Sequence, residues 1–159
     1  MKAETIHATG LVLGTSGVML RGPSGAGKSL LALELMDIWE GRNLPAMLIS
    51  DDRIEIEAAE GGLMMRAPKA IEGLIELRGR GIVRRPFAPS APLNLVVDLV
   101  DQFERMIEED QLVTTLQGVP VARCPVPRAG IVDSHHRLLL IREALRALSP
   151  GTKGRKKTP

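Results

Sequence analysis

The chain of 159 residues has little of three things that often reveal a protein's class: cysteine, aromatic side chains and long apolar runs. Its single cysteine, Cys124, excludes an intramolecular disulfide. Aromatic residues make up 2% of the chain and tyrosine is absent, which leaves little material for stacking nucleic-acid bases. No apolar run approaches the ~20 residues of a membrane-spanning helix, and the N-terminus lacks a basic-then-apolar secretory signal. We therefore expect a cytoplasmic protein with neither a membrane nor a nucleic acid as partner.

The composition is that of a small globular protein with a basic end. Hydrophobic residues make up 44% of the chain, enough for one core, and we expect a single catalytic domain over residues 1–148. The net charge is only +2, and residues 149–159 contribute four cations interspersed with Gly, Thr and Pro. We expect this basic tail to be disordered, because such a segment cannot bury apolar surface.

A complete G-x-x-x-x-G-K-[ST] phosphate loop, or Walker A motif, follows the apolar residues 18–20. Its members are Gly22, Pro23, Ser24, Gly25, Ala26, Gly27, Lys28 and Ser29. The glycines allow backbone amides to approach phosphate oxygens, Lys28 would bridge the β- and γ-phosphates, and the Ser29 hydroxyl would contact Mg²⁺. An amphipathic helix follows the loop and directs its positive dipole end at the same anion. The motif predicts a site for ATP or GTP.

The remaining patterns predict an α/β domain with a mixed sheet. Two apolar runs before the loop favour a hairpin, and alternation beyond Asp52 favours an antiparallel flap with one wet face. The predicted elements are a hairpin over 9–13 and 17–20, a helix over 29–39, a strand over 46–49, the flap over 53–66, a helical turn over 68–74, an extended stretch over 75–83, a Pro-rich loop over 84–92, a central strand over 93–100, edge strands or loop over 112–117 and 119–121, and a closing helix over 135–148.

Carboxylates follow two apolar runs, residues 46–49 and residues 95–97. Asp51 and Asp52 follow the strand 46–49, and adjacent aspartates there are costly unless a cation or protein donors offset their repulsion. This pair is a candidate for the metal side of the site or for proton transfer, with a turn-forming role as the alternative. Asp98 is the weaker candidate, since an aspartate that closes a strand often only caps it. The Asn-Lys-x-Asp and Asp-x-x-Gly motifs of a switch GTPase are absent from the sequence.

These residues resemble a known family, the bacterial HPr kinase/phosphorylases, which phosphorylate a serine of the phosphocarrier protein HPr and also remove that phosphate. His7 precedes the phosphate loop across a hairpin, and Asp51 and Asp52 end the strand after the loop helix, as in that family. Residues 75–82, Ile-Glu-Leu-Arg-Gly-Arg-Gly-Ile, match the family's signature I-E-[IL]-R-G-x-G-[IV]. The resemblance implies a P-loop fold of the HPr kinase and PEP carboxykinase type.

The resemblance also implies roles for individual residues. Ser29 and Glu76 would be ligands of Mg²⁺, and Lys28 with the loop amides would hold ATP. Asp52 resembles the residue that exchanges a proton with the HPr serine, with Asp51 near the metal, although the sequence does not separate the two. His7 resembles the family's histidine near the transferred phosphate, and Arg105 aligns with a catalytic arginine of the family.

Three departures accompany the resemblance. Larger members carry a separate N-terminal domain, whereas His7 lies almost at the start of this sequence, so we expect the catalytic domain alone. Leu30 stands where the family usually has a glutamate. Residues 125–130 are a partial counterpart of the loop that supports phosphorolysis, so the kinase direction is better supported than the reverse. The resemblance further implies a homo-oligomer, a hexamer, and regulation of the phosphotransferase system and carbon metabolism.

Two other functions remain open at the level of sequence. A P-loop kinase of small molecules would use the same phosphate loop and would be indifferent to HPr. A nucleotide-sensing regulatory module would bind ATP tightly without transferring phosphate.

Overall fold

A computed structural model describes residues 2–148, and residues 1 and 149–159, including the predicted basic tail, lie outside the described part. The described chain forms twelve strands and two α-helices, with short 3₁₀ turns at Lys69–Ile71 and Glu109–Leu112. In chain order the elements are β1 (Glu4–Ile6), β2 (Ala8–Leu13), β3 (Ser16–Arg21), α1 (Lys28–Gly41), β4 (Ala46–Ser50), β5 (Ile54–Ala59), β6 (Gly62–Arg66), β7 (Leu74–Leu77), β8 (Gly81–Arg84), β9 (Ser90–Pro92), β10 (Leu95–Val100), β11 (Val113–Leu116), β12 (Val119–Pro127) and α2 (Ser134–Leu148).

A six-stranded mixed sheet forms the centre of the fold, in the order β11-β12-β10-β3-β2-β4. Strands β3, β10 and β12 are mutually parallel, whereas β2 is antiparallel to both of its neighbours and β11 is antiparallel to β12. Both helices cover one face of this sheet. Their apolar side chains form a core with the side chains of β3 and β10 that point toward the helices. The predicted mixed sheet with flanking helices is confirmed.

A second sheet, in the order β1-β5-β6-β9, covers the opposite face. The alternation of strand side chains explains the layering: Val18 and Leu20 of β3 face the helices, and Met19 between them joins the core shared with the second sheet. The hairpin predicted over residues 53–66 is present as β5 and β6. Ile54 and Ile56 lie on its buried inner face, and Glu55 and Glu57 lie on the partly exposed face that the alternation predicted.

The strand predicted at residues 119–121 is longer and lies elsewhere than expected. It runs over Val119–Pro127 and lies inside the sheet between β10 and β11, so β11 occupies the edge. In the sequence the apolar residues 119–121 are short and interrupted, which favoured an edge strand or loop. Pro125 and Pro127 lie beyond the part that pairs with β11, where that side of the strand has no partner in the described ladders.

The other predicted elements agree with the structure to within a few residues. The helix after the phosphate loop, the strand after it and the closing helix are present as α1, β4 and α2, and the helical turn is the 3₁₀ turn Lys69–Ile71. The extended stretch at 75–83 is a small hairpin of β7 and β8. The Pro-rich loop contains the short strand β9, which pairs with β6.

Candidate active site

The topology brings the sequence motifs to one edge of the large sheet, the edge formed by the carboxyl ends of β3 and β4. Strand β3 ends directly before Gly22 of the phosphate loop, and β4, which runs in the same direction as β3, ends directly before Asp51. Strand β2 runs the opposite way, so its first residues, beginning with Ala8 opposite Arg21, start at that edge. His7 immediately precedes them. The hairpin of β7 and β8 supplies Glu76 to the same region.

The phosphate loop, the aspartate pair and the β7–β8 hairpin enclose a cleft of about 460 Å³ beside the start of α1. Asp51 contacts the phosphate loop directly, through the hydroxyl of Ser29. The lining residues are Ser24, Gly25, Gly27, Lys28, Ser29, Leu30, Asp51, Asp52, Glu76, Arg78 and Ile82. The cleft therefore unites the phosphate loop, the aspartate pair and the glycine-flanked segment, which are separate in the sequence.

The phosphate loop has a geometry suited to an anion. Gly25 and Gly27 have φ angles of 83° and 98°, a left-handed conformation that side-chain-bearing residues rarely adopt. The amide of Leu31 donates to the carbonyl of Gly27. The amides before Leu31, at the start of the helix, are not used in hydrogen bonds within the helix. The buried Lys28 ammonium donates to the carbonyls of Gly22 at 2.9 Å and Pro23 at 3.3 Å. Donors and positive charge thus concentrate at the start of α1.

Asp51 is held by three donors. Its Oδ1 accepts hydrogen bonds from the hydroxyls of Ser29, at 2.6 Å, and Thr9, at 3.1 Å. Its Oδ2 accepts one from the backbone amide of Glu76, at 3.0 Å. One carboxylate therefore ties together the start of α1, strand β2 and strand β7.

Asp52 has a different environment although it is the next residue. Its side chain is 59% exposed, and its Oδ1 lies 3.1 Å from Nε2 of His7. Its φ of 69° is left-handed, a conformation that aspartate tolerates better than most residues. The backbone amide of Asp52 donates to the Thr9 hydroxyl at 3.2 Å. Asp52 therefore presents an accessible carboxylate at the cleft, paired with His7.

Oxygen donors suitable for Mg²⁺ meet in this cleft. The Ser29 hydroxyl and the Asp51 carboxylate are in direct contact, and Glu76 lines the same cleft. Within residues 2–148 no group of three or more His, Cys, Asp or Glu residues is placed to hold a metal by itself. This set fits Mg²⁺, which usually takes one or two carboxylates and completes its shell with phosphate and water.

Asp98 and Arg105 lie away from the cleft, and His7 does not line it either, but His7 pairs with Asp52, which does. Asp98 accepts hydrogen bonds from Arg21, at 2.7 and 2.8 Å, and from Arg123, so two guanidinium groups occupy its carboxylate. Arg105 lies in the exposed loop after β10 and does not line the cleft. That loop runs past the start of α2, where Phe103 packs edge-on against His136 with ring centroids 5.4 Å apart. The geometry therefore supports neither Asp98 nor Arg105 as part of the site.

Two site residues were missed in the sequence. Thr9 looks like an ordinary strand residue, and only the fold shows that its hydroxyl lies between the two aspartates. Arg78 belongs to the glycine-flanked segment, but its position in the cleft depends on the turn between β7 and β8.

Cys124 is no candidate nucleophile, because burial raises the pKa of its thiol to about 12 despite the opposing charge of Arg123.

Comparison with known proteins identifies the family. The family model for the HPr Serine kinase C-terminal domain matches residues 1–135 of the chain. The chain belongs to this family. The match confirms the resemblance inferred from residues 75–82 and the aspartate pair.

Relatives in the HPr serine kinase family are moderately similar to the chain. It is 34% identical over 137 residues to the HPr kinase/phosphorylase of Limosilactobacillus reuteri, and 33% identical over 132 residues to that of Bordetella pertussis. These matches cover 78% and 75% of this chain but 41% of each relative, so the chain spans well under half the length of these relatives.

A solved structure supports the predicted fold class. The chain matches the HPr(Ser) kinase/phosphatase from Coxiella burnetii with a TM-score of 0.76 at 25% identity. The match covers 98% of this chain and 96% of that one. No helix within the described residues is long and apolar enough to cross a membrane.

Proposed function

We propose that the chain is an ATP-dependent protein serine kinase that phosphorylates the phosphocarrier protein HPr. The observation that carries the proposal is the aspartate pair: beside the phosphate loop, Asp51 is bound to Ser29 while Asp52 remains accessible and paired with His7. Family membership supports HPr as the partner, because the relatives named above are HPr kinase/phosphorylases. We further propose a cytoplasmic protein acting in the phosphotransferase system and carbon metabolism.

The phosphate loop would bind the triphosphate. Lys28 already lies within the loop, and its ammonium would exchange the carbonyls of Gly22 and Pro23 for phosphate oxygens. The amides at the start of α1 would add backbone donors to the same anion. Ser29, Asp51 and Glu76 would hold Mg²⁺, which when bound supplies positive charge against the phosphate oxygens.

The two aspartates would have separate tasks. Asp51, whose oxygens accept three hydrogen bonds, would be the fixed member beside the metal. Asp52 would accept the hydroxyl proton of the substrate serine. At the same time the serine oxygen would bond to the γ-phosphorus of ATP, and the bond from the γ-phosphorus to the leaving ADP would break. His7, 3.1 Å from Asp52, would orient that carboxylate and contact the incoming phosphoryl group.

In addition to Lys28, Arg78 would bring positive charge to the cleft. Phosphoryl transfer depends mainly on positioning and on neutralising the charge of the phosphoryl oxygens. Arg78 lines the cleft together with Asp52 and Glu76, whereas Arg105 does not. We therefore propose Arg78 for the role that the sequence resemblance gave to Arg105.

The reverse reaction, phosphorolysis of seryl-phosphorylated HPr, is proposed for the same site. Residues 129–134 follow β12 and line a second cavity, of about 590 Å³, that shares Leu30 with the nucleotide cleft. Of residues 125–130, the partial counterpart of the phosphorolysis loop, Ala129 and Gly130 line this cavity, which supports the proposal. We also propose that residues 1–148 form one catalytic domain and that the protein assembles as a homo-oligomer, a hexamer by family resemblance.

Incubation with purified HPr, Mg²⁺ and γ-labelled ATP tests the kinase proposal. We expect phosphoserine on HPr, and we expect Lys28→Ala to abolish it by removing the phosphate ligand. Asp52→Asn should lower the transfer rate by roughly 10²- to 10⁴-fold, since it removes the proton acceptor. Its ATP affinity should stay within about threefold of wild type, because Asp52 is not assigned to ATP binding.

Matched substitutions keep the assay interpretable. Lys69→Ala and Asp110→Asn change exposed residues outside the cleft and should leave transfer unchanged. Tight ATP binding with no transfer to HPr or to small metabolites would favour a nucleotide-sensing module instead. Transfer to a metabolite with indifference to HPr would favour a small-molecule kinase.

A further inference from the structure

Thr9 places a hydroxyl in the interior of the protein, where the packing of strand β2 does not require one. It lies in β2 with no exposed surface, between Ala8 and Gly10, which are equally buried. A buried hydroxyl is costly unless it is hydrogen-bonded, and an apolar β-branched residue would fill the same space. The hydroxyl therefore needs an explanation beyond the packing of β2.

The register of the sheet explains which residues Thr9 reaches. Gly10 pairs with Ser50 of β4, whereas the next residue, Leu11, pairs with Leu48, so the register shifts there by one residue. Continuing the register from Gly10 and Ser50 by one residue sets Thr9 opposite Asp51. The shift thus places the threonine beside the aspartate pair. Without the shift, the pair would be displaced by one position along β2, and its side chains would point to the opposite face of the sheet.

The two hydrogen bonds of Thr9 have fixed directions. Its Oγ1 donates to Oδ1 of Asp51 at 3.1 Å, because a carboxylate can only accept, and it accepts the backbone amide of Asp52 at 3.2 Å. One hydroxyl thus holds the carboxylate of the first aspartate and the backbone of the second. The backbone of Asp52 is left-handed at this point, with a φ of 69°.

We propose that Thr9 is a positioning residue that sets Asp51 and Asp52 in their two different orientations. It acts through them and contacts neither ATP nor HPr, and the proposal rests on the kinase function proposed above. Without the hydroxyl, Asp51 loses one of its three donors and the amide of Asp52 loses its acceptor. The carboxylate of Asp52 then samples orientations away from His7 and from the substrate serine.

Thr9→Val tests this, because valine has nearly the same shape and lacks the hydroxyl, and Thr9→Ser retains the hydroxyl. We expect Thr9→Val to lower kcat for HPr phosphorylation by about tenfold or more, with KM for ATP within about twofold. Thr9→Ser should recover most of kcat. Leu63→Ala, in the second sheet far from the cleft, is the control for a general loss of stability and should leave kcat unchanged.

Hydrogen exchange of the Asp52 amide, measured by NMR, tests the same contact without activity. The amide should exchange about tenfold faster in Thr9→Val and near the wild-type rate in Thr9→Ser. Unchanged exchange and kcat in Thr9→Val would overturn the proposal, as would equal losses of kcat in both variants that track their stability. If wild type fails to phosphorylate HPr, the kinase proposal fails, and the exchange rates alone decide whether Thr9 holds Asp52.

Discussion

At the scale of single residues, the neighbouring aspartates Asp51 and Asp52 lie in different environments. Asp51 and Asp52 are identical side chains on adjacent positions, and the sequence could not assign them different roles. The left-handed backbone of Asp52 turns its carboxylate toward His7, whereas Asp51 faces Ser29 and Thr9. The difference arises from contacts with β2 and α1, which are distant in sequence, so no local pattern records it.

Asp98 is the residue whose charge matters most clearly for stability. Burial raises the pKa of its carboxyl, but hydrogen bonds and charge from Arg21 and Arg123 outweigh burial and hold that pKa below the usual 3.8. A carboxyl whose pKa is lower in the folded state contributes stability that is complete above its unfolded pKa. That contribution is lost as the pH falls through the folded pKa.

We therefore expect Asp98→Asn to destabilise the protein by about 2–3 kcal/mol at pH 7, since it leaves two arginines without their anion. The variant should also lose less stability than wild type as the pH is lowered below 3.8. Urea unfolding followed by the fluorescence of the single tryptophan, Trp39, measures both effects. Asp101→Asn, which breaks an exposed pair with Arg128, should change stability by less than about 0.5 kcal/mol.

At the scale of elements, the sequence predicted those whose pattern is local. The helix α1 has a start signal in the phosphate loop and an apolar face, and β10 is apolar except for Asp98, so both were predicted. The interior place of β12 was not, because Pro120, Pro125 and Pro127 contradict a central strand unless one knows how far β11 extends. Whether the hairpin of β5 and β6 forms a flap or a layer likewise depends on the partner sheet.

The contact between the two sheets depends on a glycine in β3. A Cβ added at Gly17 would lie 1.8 Å from the carbonyl oxygen of Pro92, a backbone atom that cannot move aside alone. The amide of Gly17 also donates to the Asn94 side chain at 2.8 Å, and its carbonyl accepts the Asn94 amide at 2.9 Å. Gly17 therefore fixes how the segment after β9 crosses β3.

We expect Gly17→Ala to lower the free energy of unfolding by about 3 kcal/mol or more, because overpacking displaces backbone here rather than a flexible side chain. Gly41→Ala is the matched control: nothing lies within 4 Å of an added Cβ there, at the end of α1. It should raise stability by about 0.5 kcal/mol, since alanine restricts the unfolded chain and favours the helix. Equal stabilities of the two variants in urea would contradict the steric argument.

At the scale of the whole molecule, the proposed site lies where several elements meet. The phosphate loop, the aspartates after β4 and the β7–β8 hairpin line one cleft, and hydrogen bonds join Asp51 to the start of α1, to β2 and to β7. The motifs were predicted from the sequence, but their meeting depends on sheet order. A ligand that contacts all of these segments should therefore stabilise the fold as a unit.

MgATP should raise the melting temperature in proportion to its binding. At a ligand concentration 100 times Kd, binding adds about 2.7 kcal/mol, which corresponds to a shift of about 5–11 °C for a protein of this size. Removing Mg²⁺ with EDTA should shrink the shift, because the carboxylates of Asp51 and Glu76 would then face the phosphates without a cation between them. Differential scanning fluorimetry or calorimetry measures both.

The variants divide this shift between binding and chemistry. Lys28→Ala should lose most of it, because the ammonium is the proposed ligand of the phosphates, whereas Asp52→Asn should keep it, because that carboxylate is assigned to the serine proton alone. A shift retained in Lys28→Ala would place the nucleotide outside the phosphate loop. Loss in Asp52→Asn would show that this aspartate serves nucleotide or metal binding, and the separation of roles between Asp51 and Asp52 would then be wrong.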